Sequence, residues 1–277
     1  MFAKGQLYQG WRDYQGDGEV KIISLGWGVQ SMTLAVMAAL GDIEPVDYAI
    51  HSDTTHERTD TYVYAERWTR WLEDRGVKVI TTKPDETNAK VLQQSKNGVL
   101  GISVPAFTYS LEDGVNGTIR RQCTGDWKIA PMRRMIQKLR NGKPVEQWLG
   151  ISLDEVQRMK PADVKYISNR YPLIERKMSR WDCKLYLERN GIEIPPRSAC
   201  VFCPFHSRSE WRDIRDNAPE DWDKAVKIDK AIRKARPPYD LFVNVQRKPL
   251  DECDLDSEID KGQLSLWEME CEGLCGV

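Results

Sequence analysis

The feature that most constrains this chain is a short apolar run that ends in a glycine loop and passes directly into an apolar helical pattern. Residues 20–25 are the run and Gly26 to Gly28 the loop, after which Met32, Val36 and Leu40 recur at helical spacing. A strand, a tight turn and a helix are predicted. The alternation continues with a second strand over residues 46–50 and a helix whose apolar face is Tyr64, Trp68, Trp71 and Leu72, ending near Gly76. A third strand follows over residues 77–81. Strands alternating with helices of this length pair in parallel through right-handed crossovers. The expected fold is therefore α/β, a doubly wound parallel sheet covered on both faces, with ligands beyond the carboxyl ends of its strands.

Residues 85–121 are weakly periodic and glycine-containing, so a long loop or hairpin bordering the site is expected there. Ile129, Met132, Ile136 and Leu139 mark another helix, residues 145–151 another strand, and residues 152–158 the start of a helix that Ser152 can cap. The second half is mainly helical, over residues 179–189 and 207–235, and beyond Pro238 the chain becomes irregular and acidic. These signals divide the 277 residues into an α/β core (1–175), a helical part with a Cys-x-x-Cys (176–240) and a C-terminal tail (241–277).

Lys and Arg number 41 against 42 Asp and Glu, a formal charge of -1, so no global field draws the chain to nucleic acid or membrane, and any nucleic-acid contact must be local. No apolar run is long enough to span a bilayer and the first residues form no secretion signal, which makes a soluble, cytoplasmic protein the expectation. In that setting seven cysteines point to metal binding or thiol chemistry.

Between strand and helix, Ser24-Leu25-Gly26-Trp27-Gly28-Val29-Gln30-Ser31 offers backbone N–H groups and a positive helix terminus to an anion. The loop resembles the PP-loop, Ser-Gly-Gly-x-Asp-Ser, of ATP pyrophosphatases and phosphoadenosine phosphosulfate (PAPS) reductase-like proteins. Here Trp27 stands at its first glycine and Gln30 at its aspartate. His51-Ser52-Asp53-Thr54-Thr55-His56-Glu57 is similar to the Asp-Thr-Gly-x-Glu segment of the reductase branch, with Thr55 at the glycine. Asp53 and Glu57 are candidates for ribose hydroxyls or metal-bound water, or for capping the following helix. Two further patches follow in the family's order. Residues 150–158 resemble the stretch that contacts nucleotide phosphates, which implies Ser152 and Arg158, and Tyr171-Pro172-Leu173-Ile174 with Trp181 resembles a Pro-Leu-x-x-Trp segment. The resemblance spans roughly residues 20–205. It implies a Rossmann-like (HUP-type) fold and ATP or an adenylyl sulfonucleotide as ligand, with Mg²⁺ if ATP is used.

Cys200-Val201-Phe202-Cys203 has the spacing by which two thiolates grip one metal or cluster corner. Cys123-Thr124-Gly125-Asp126-Trp127-Lys128-Ile129-Ala130-Pro131 resembles the Cys-Thr-x-x-x-Lys-x-x-Pro segment of DNA phosphorothioation enzymes and the cluster segment of adenylyl-sulfate reductases. Cys183 is the candidate fourth ligand, with a buried apolar thiol as its other reading. The set suits a [4Fe-4S] cluster or Zn²⁺, and the resemblance favours the cluster. Arg120, Arg121 and Lys128 could neutralise a substrate phosphate. Cys271 and Cys275 partly match the reductases' tail thiol, a nucleophile towards a bound sulfonucleotide.

Three functions are consistent with these residues. The leading one is adenylation of an acceptor from ATP, with pyrophosphate released, for sulfur transfer. The others are a sulfonucleotide reductase using Cys271 or Cys275, and a non-catalytic nucleotide sensor with structural zinc. Lys128 is the expected catalytic cation, and a nucleic acid or a sulfur-donor protein is a possible partner.

Overall fold

The computed structural model describes residues 18–86, 90–94, 100–110, 114–119 and 122–256. In chain order, strand β1 (Val20–Ser24) leads to helix α1 (Val29–Leu40), β2 (Tyr48–Ser52) to α2 (Thr59–Glu73), and then to β3 (Val79–Thr82). Strands β4 (Leu92–Gln94) and β5 (Leu100–Ile102) form one hairpin, and β6 (Phe107–Ser110) and β7 (Asn116–Thr118) a second. A π-helical segment, Thr124–Ile129, runs into α3 (Ala130–Leu139), followed by β8 (Val145–Trp148), a 3₁₀ segment (Leu153–Arg158) and β9 (Ile167–Arg170). Helices α4 (Pro172–Glu175), α5 (Arg180–Arg189), α6 (Arg208–Asn217) and α7 (Pro219–Ile232) precede β10 (Tyr239–Phe242) and a short 3₁₀ turn, Leu250–Glu252.

The central sheet has five strands in the order β3-β2-β1-β8-β9, every neighbouring pair parallel. Because a strand alternates its side chains, β1 sends Ile23 to one face and Val20 and Ile22 to the other. The first face packs against α1, α2 and α5 through Met32, Val36, Tyr64, Trp68, Leu72 and Leu187, and the second receives Ile136 of α3. Helix α1 has no charged residue and is buried almost all round, as a helix enclosed between sheet and neighbours must be. The strand order reverses between β1 and β8, which opens a crevice at their carboxyl ends.

A second core joins residues distant in sequence. Trp127, Phe202, Trp211, Ile214, Ile232 and Leu241 pack together, and β10 pairs antiparallel with β6, Tyr239 opposite Ser110. Residues 85–121 thus contain two hairpins, one completed by the C-terminal part of the chain. Residues 241–256, read from composition as the start of a tail, belong to this core. Asp229 of α7, itself buried, accepts the Val243 and Leu250 N–H groups at 2.9 and 3.1 Å. The helical stretch expected over 207–235 is two helices, because Pro219 has no N–H to continue the first. Residues 257–277, with Cys271 and Cys275, lie outside the described residues, as do Arg120 and Arg121. Among the described residues no helix is long and apolar enough to cross a membrane.

Candidate active site

The crevice at the β1–β8 switch is a cavity of about 280 Å³. Its floor is the glycine loop, where Ser24, Gly26, Gly28, Gln30 and Ser31 all line it. The Ser31 hydroxyl accepts the Gly26 N–H at 3.1 Å and donates to the Gly28 carbonyl at 3.2 Å, so the loop is fixed before any ligand arrives. No side chain caps the N-terminus of α1 and no acidic residue sits in its first turn, which leaves the positive end of the helix to an anion. Gly150, just past β8, makes this closeness possible. A Cβ there would stand 2.7 Å from the Ser31 nitrogen and 2.9 Å from the Gln30 carbonyl carbon.

Around this floor stand five cations, Lys128, Arg133, Arg158, Lys160 and Arg197, and two carboxylates, Glu155 and Asp163. Both carboxylates are engaged, Glu155 with Arg158 and Asp163 with Arg133. Gln30, where the resembled loop has an acid, gives its amide N–H to Ser152 at 3.4 Å and Glu155 at 3.3 Å and takes a hydrogen bond from Arg180. It ties the helix terminus to the segment after β8. Of the lining carboxylates, Glu155 has both oxygens engaged, by Arg158 and Gln30, and Asp163 has Oδ1 engaged by Arg133. With five cations against two carboxylates, the polar part of the lining suits direct contact with an anion. The lining also has an apolar part, Met132, Ile136, Leu149, Ile151, Val164 and Ile167, which suits a flat ring.

Some expected residues stand elsewhere. Trp27 is buried in the core, its indole edge-on to His51 and Tyr64, and does not line the cavity. Its φ of 57° and the φ of 66° at Thr55 are left-handed, the conformation glycine adopts freely, so both substituted glycine positions keep a glycine-like backbone. Asp53 turns into its own loop, accepting the Thr55 N–H at 2.7 Å and the Tyr62 hydroxyl at 2.8 Å, with Lys83 at 3.4 Å. Burial pushes its pKa up, but these partners outweigh it and hold the carboxyl below its ordinary range. Ser152 caps nothing with its side chain and is instead the acceptor for Gln30, so the helix expected there is a 3₁₀ segment with a kink at Glu155. His51 does line the cavity. Its Nδ1 carries the proton, because its partner at 3.0 Å, the Leu25 carbonyl, can only accept, and burial holds the imidazole below its ordinary pKa.

A second, narrower cavity, about 30 Å³, abuts the first. Cys123, Cys200 and Cys203 line it with Thr54, Thr124 and Trp127, and no carboxylate does. The Cys-x-x-Cys turn is held by the Cys203 N–H to Cys200 carbonyl bond at 2.9 Å and by the Val201 N–H to the His56 carbonyl at 2.9 Å. Burial, with Glu57 beside it, pushes the Cys200 thiol well above its ordinary pKa, and Thr54 Oγ1 lies 3.3 Å from its sulfur. Glu57 is fully buried behind this wall, with Oε1 3.6 Å from Lys128 Nζ and 3.1 Å from the Thr54 hydroxyl. Among the described residues its Oε2 has no hydrogen-bond partner, and neither has Thr124 Oγ1. Three soft donors and an orphaned hydroxyl around one cavity are the chemistry of a thiophilic metal or cluster. As placed, no three His, Cys, Asp or Glu side chains among the described residues lie at metal-ligand spacing. Cys183, the expected fourth ligand, is elsewhere. It is fully buried between α5 and α1, its carbonyl near the Thr33 hydroxyl, and burial pushes its thiol up to about 12. It is an apolar core residue, the other of the two readings its sequence allowed.

Lys128, Arg197 and Ser198 line both cavities. The π-helical segment has a wider turn than an α-helix, and its last turn is pinned by the Ser52 hydroxyl donating to the Lys128 carbonyl at 2.9 Å. Arg197 is held by Glu210 and the Phe205 carbonyl. No sequence signal singled out Arg197 or Ser198, since both lie in an irregular stretch whose position only the fold sets.

No protein-family model matches the chain, and no curated protein does. Among solved structures the chain is similar to the PAPS reductase of Candida auris in its phosphate complex. Identity is 14%, coverage 67% of this chain and 78% of that one, and the TM-score 0.42. It is also similar to the U34-tRNA thiolase NcsA of Methanococcus maripaludis with its [4Fe-4S] cluster, at 13% identity, 80% and 76% coverage and a TM-score of 0.39. At these scores the likeness is one of outline, and no functional argument rests on it.

Proposed function

We propose that the chain is an enzyme that binds an adenylyl nucleotide in the larger cavity and couples it to sulfur chemistry at the cysteines of the smaller one. The observation that carries this reading is the shared wall of Lys128, Arg197 and Ser198, which brings the anion end of the first cavity against the thiols of the second. In the form the site residues support best, ATP lies with its purine on the apolar wall and its phosphates over the glycine loop. An acceptor oxygen bonds to the α-phosphorus as the bridging P–O bond to the β-phosphate breaks. Pyrophosphate leaves, its developing charge met by the α1 N-terminus, Lys128, Arg158 and Arg197. Sulfide-level sulfur then attacks the acceptor carbon, and the C–O bond breaks so that AMP leaves with the acceptor oxygen. Cys123, Cys200 and Cys203 are the residues that would hold an iron-sulfur cluster or Zn²⁺, and such a group would supply a soft Lewis-acid site for sulfur.

One observation favours a second reading. Both cavity carboxylates are committed to arginines and Gln30 is neutral, so a ligand that needs no divalent cation also suits the site. A sulfonucleotide is such a ligand, with Cys271 or Cys275 as nucleophile. The deciding experiment incubates purified protein with ATP or with adenylyl sulfonucleotide and follows pyrophosphate and sulfite. Pyrophosphate release supports adenylation, and sulfite release that needs the tail cysteines supports reduction. Nucleotide binding with neither product would leave a sensor, and no binding at all would refute the assignment of the cavity.

A further inference from the structure

The rim of the larger cavity carries an exposed apolar surface that neither cavity uses. Leu153, Val156 and Met159 occur at every third position along the 3₁₀ segment and its exit, and are 41%, 48% and 39% exposed. Trp181, in the first turn of α5, is 65% exposed, more than any other large apolar residue described. The two segments are tied by the Arg180 N–H to Asp154 Oδ1 at 2.9 Å and the Leu153 N–H to the Met178 carbonyl at 2.8 Å, so these exposed side chains stand on adjoining segments. The same 3₁₀ segment gives Glu155 and Arg158 to the cavity wall, and Lys160, next to Met159, lines the cavity too.

The charges here are unequal in their commitments. Asp154 holds the Arg180 N–H, Asp182 closes a capping box with Ser179, Glu155 pairs with Arg158 and Glu175 with Arg170. The ammonium groups of Lys160, Lys177 and Lys184 have no carboxylate partner among the described residues. Lys184 lies one turn along α5 from Trp181, on the same side of the helix. An exposed indole with Lys184 one turn away, and Lys160, Lys177 and three exposed apolar residues on the adjoining stretches beside the cavity, matches what an unstacked nucleic-acid strand presents. Its bases stack on the ring and its phosphates meet the ammonium groups. A duplex keeps its base faces inside and offers Trp181 nothing to stack on.

We propose that this surface docks a single-stranded segment of nucleic acid and that such a strand carries the acceptor. The proposal rests on the reading of the larger cavity as the activating site, since it is that cavity's mouth to which the strand is brought. With three lysines engaged, the affinity should fall with salt at a log–log slope of about -2. Stacking on one indole should be worth roughly tenfold in affinity.

The test is fluorescence anisotropy on the full chain with labelled 12-nucleotide single-stranded RNA and DNA, for wild type, W181A, W181F and K177E/K184E. ATP binding is measured on the same samples, so that a failed cavity and a failed docking surface register separately. The expected result is binding that weakens about tenfold in W181A, is kept in W181F, and loses most of its salt dependence in K177E/K184E. Tighter binding of RNA or of DNA would identify the sugar. Absence of binding to both strands, or binding indifferent to Trp181, would overturn the proposal. So would equal displacement by polyglutamate of matched charge, because the surface would then read charge alone and suit an acidic protein segment.

Discussion

Gly150 is the residue at which the glycine loop approaches the end of β8, and replacing it with alanine should disturb the loop and the packing of α1 together. In Gly150→Ala the new methyl would lie 2.7 Å from the Ser31 nitrogen and 2.9 Å from the Gln30 carbonyl carbon and the Ser31 Cα. These are backbone atoms, so no rotamer change relieves the overlap, and the first turn of α1 must withdraw by about 0.7 Å to restore ordinary contact. Overpacking of this kind costs about 1–3 kcal/mol. At roughly 2–4 °C per kcal/mol for a domain of this size, Tm should fall by about 2–12 °C. The atoms displaced include the Ser31 N–H, one of the first-turn donors offered to the proposed phosphate. Losing one charge-assisted hydrogen bond, about 1.5–3 kcal/mol, weakens nucleotide binding by about ten- to a hundredfold. Gly28→Ala is the matched comparison. A Cβ at Gly28 meets nothing within 4 Å, and its φ of -92° suits any residue, so Tm should hold while the methyl, on the cavity floor, weakens binding. Thermal melts and calorimetric titration with ATP read both quantities. A Gly150→Ala protein that melts and binds like wild type would refute the claim that the β8–α1 approach shapes the loop.

Further predictions concern the charges and the thiols. Nucleotide binding should survive EDTA, and Glu155→Gln should tighten it severalfold by removing a negative charge from the anion site. If Glu155 held a divalent cation, calorimetry would instead show loss of affinity in both cases. Glu210 ties Arg197 in place. Burial alone would raise its pKa, but His206, Arg197 and the Ser207 N–H together hold it at about 2 against an ordinary 4.5. Its folded pKa is depressed, so its contribution, about 3 kcal/mol at most, is complete above pH 4.5 and is lost as the pH falls towards 2. Glu210→Gln should flatten this acid limb in pH-dependent urea melts, and an unchanged limb would show that other groups control it. Protein purified without oxygen should carry iron or zinc that Cys200→Ser, Cys203→Ser removes and Cys183→Ala retains, read by metal analysis and absorption. Loss of metal in Cys183→Ala with the fold intact would contradict the placement of that thiol in the core.

Much of the fold was written locally. The strand, glycine loop and enclosed helix at residues 20–40, the parallel alternation through Thr82 and the Cys-x-x-Cys turn each depend on side-chain periodicity or spacing within about ten residues, which the amino-acid order displays directly. The same holds for the candidate phosphate loop, five of whose expected residues line the cavity. Tertiary structure decided what local order cannot carry. It paired β6 with β10 across more than a hundred residues. It buried Cys183 and drew Lys128, Arg197 and Ser198 to one wall between two cavities. It also turned Asp53 inward and Gln30 towards Glu155. Periodicity reports which side of an element faces the core, but which distant element meets that side is fixed by core packing and by the need to satisfy buried polar groups. At this site those two requirements, acting between segments far apart in the chain, determined which of the expected residues face the cavity.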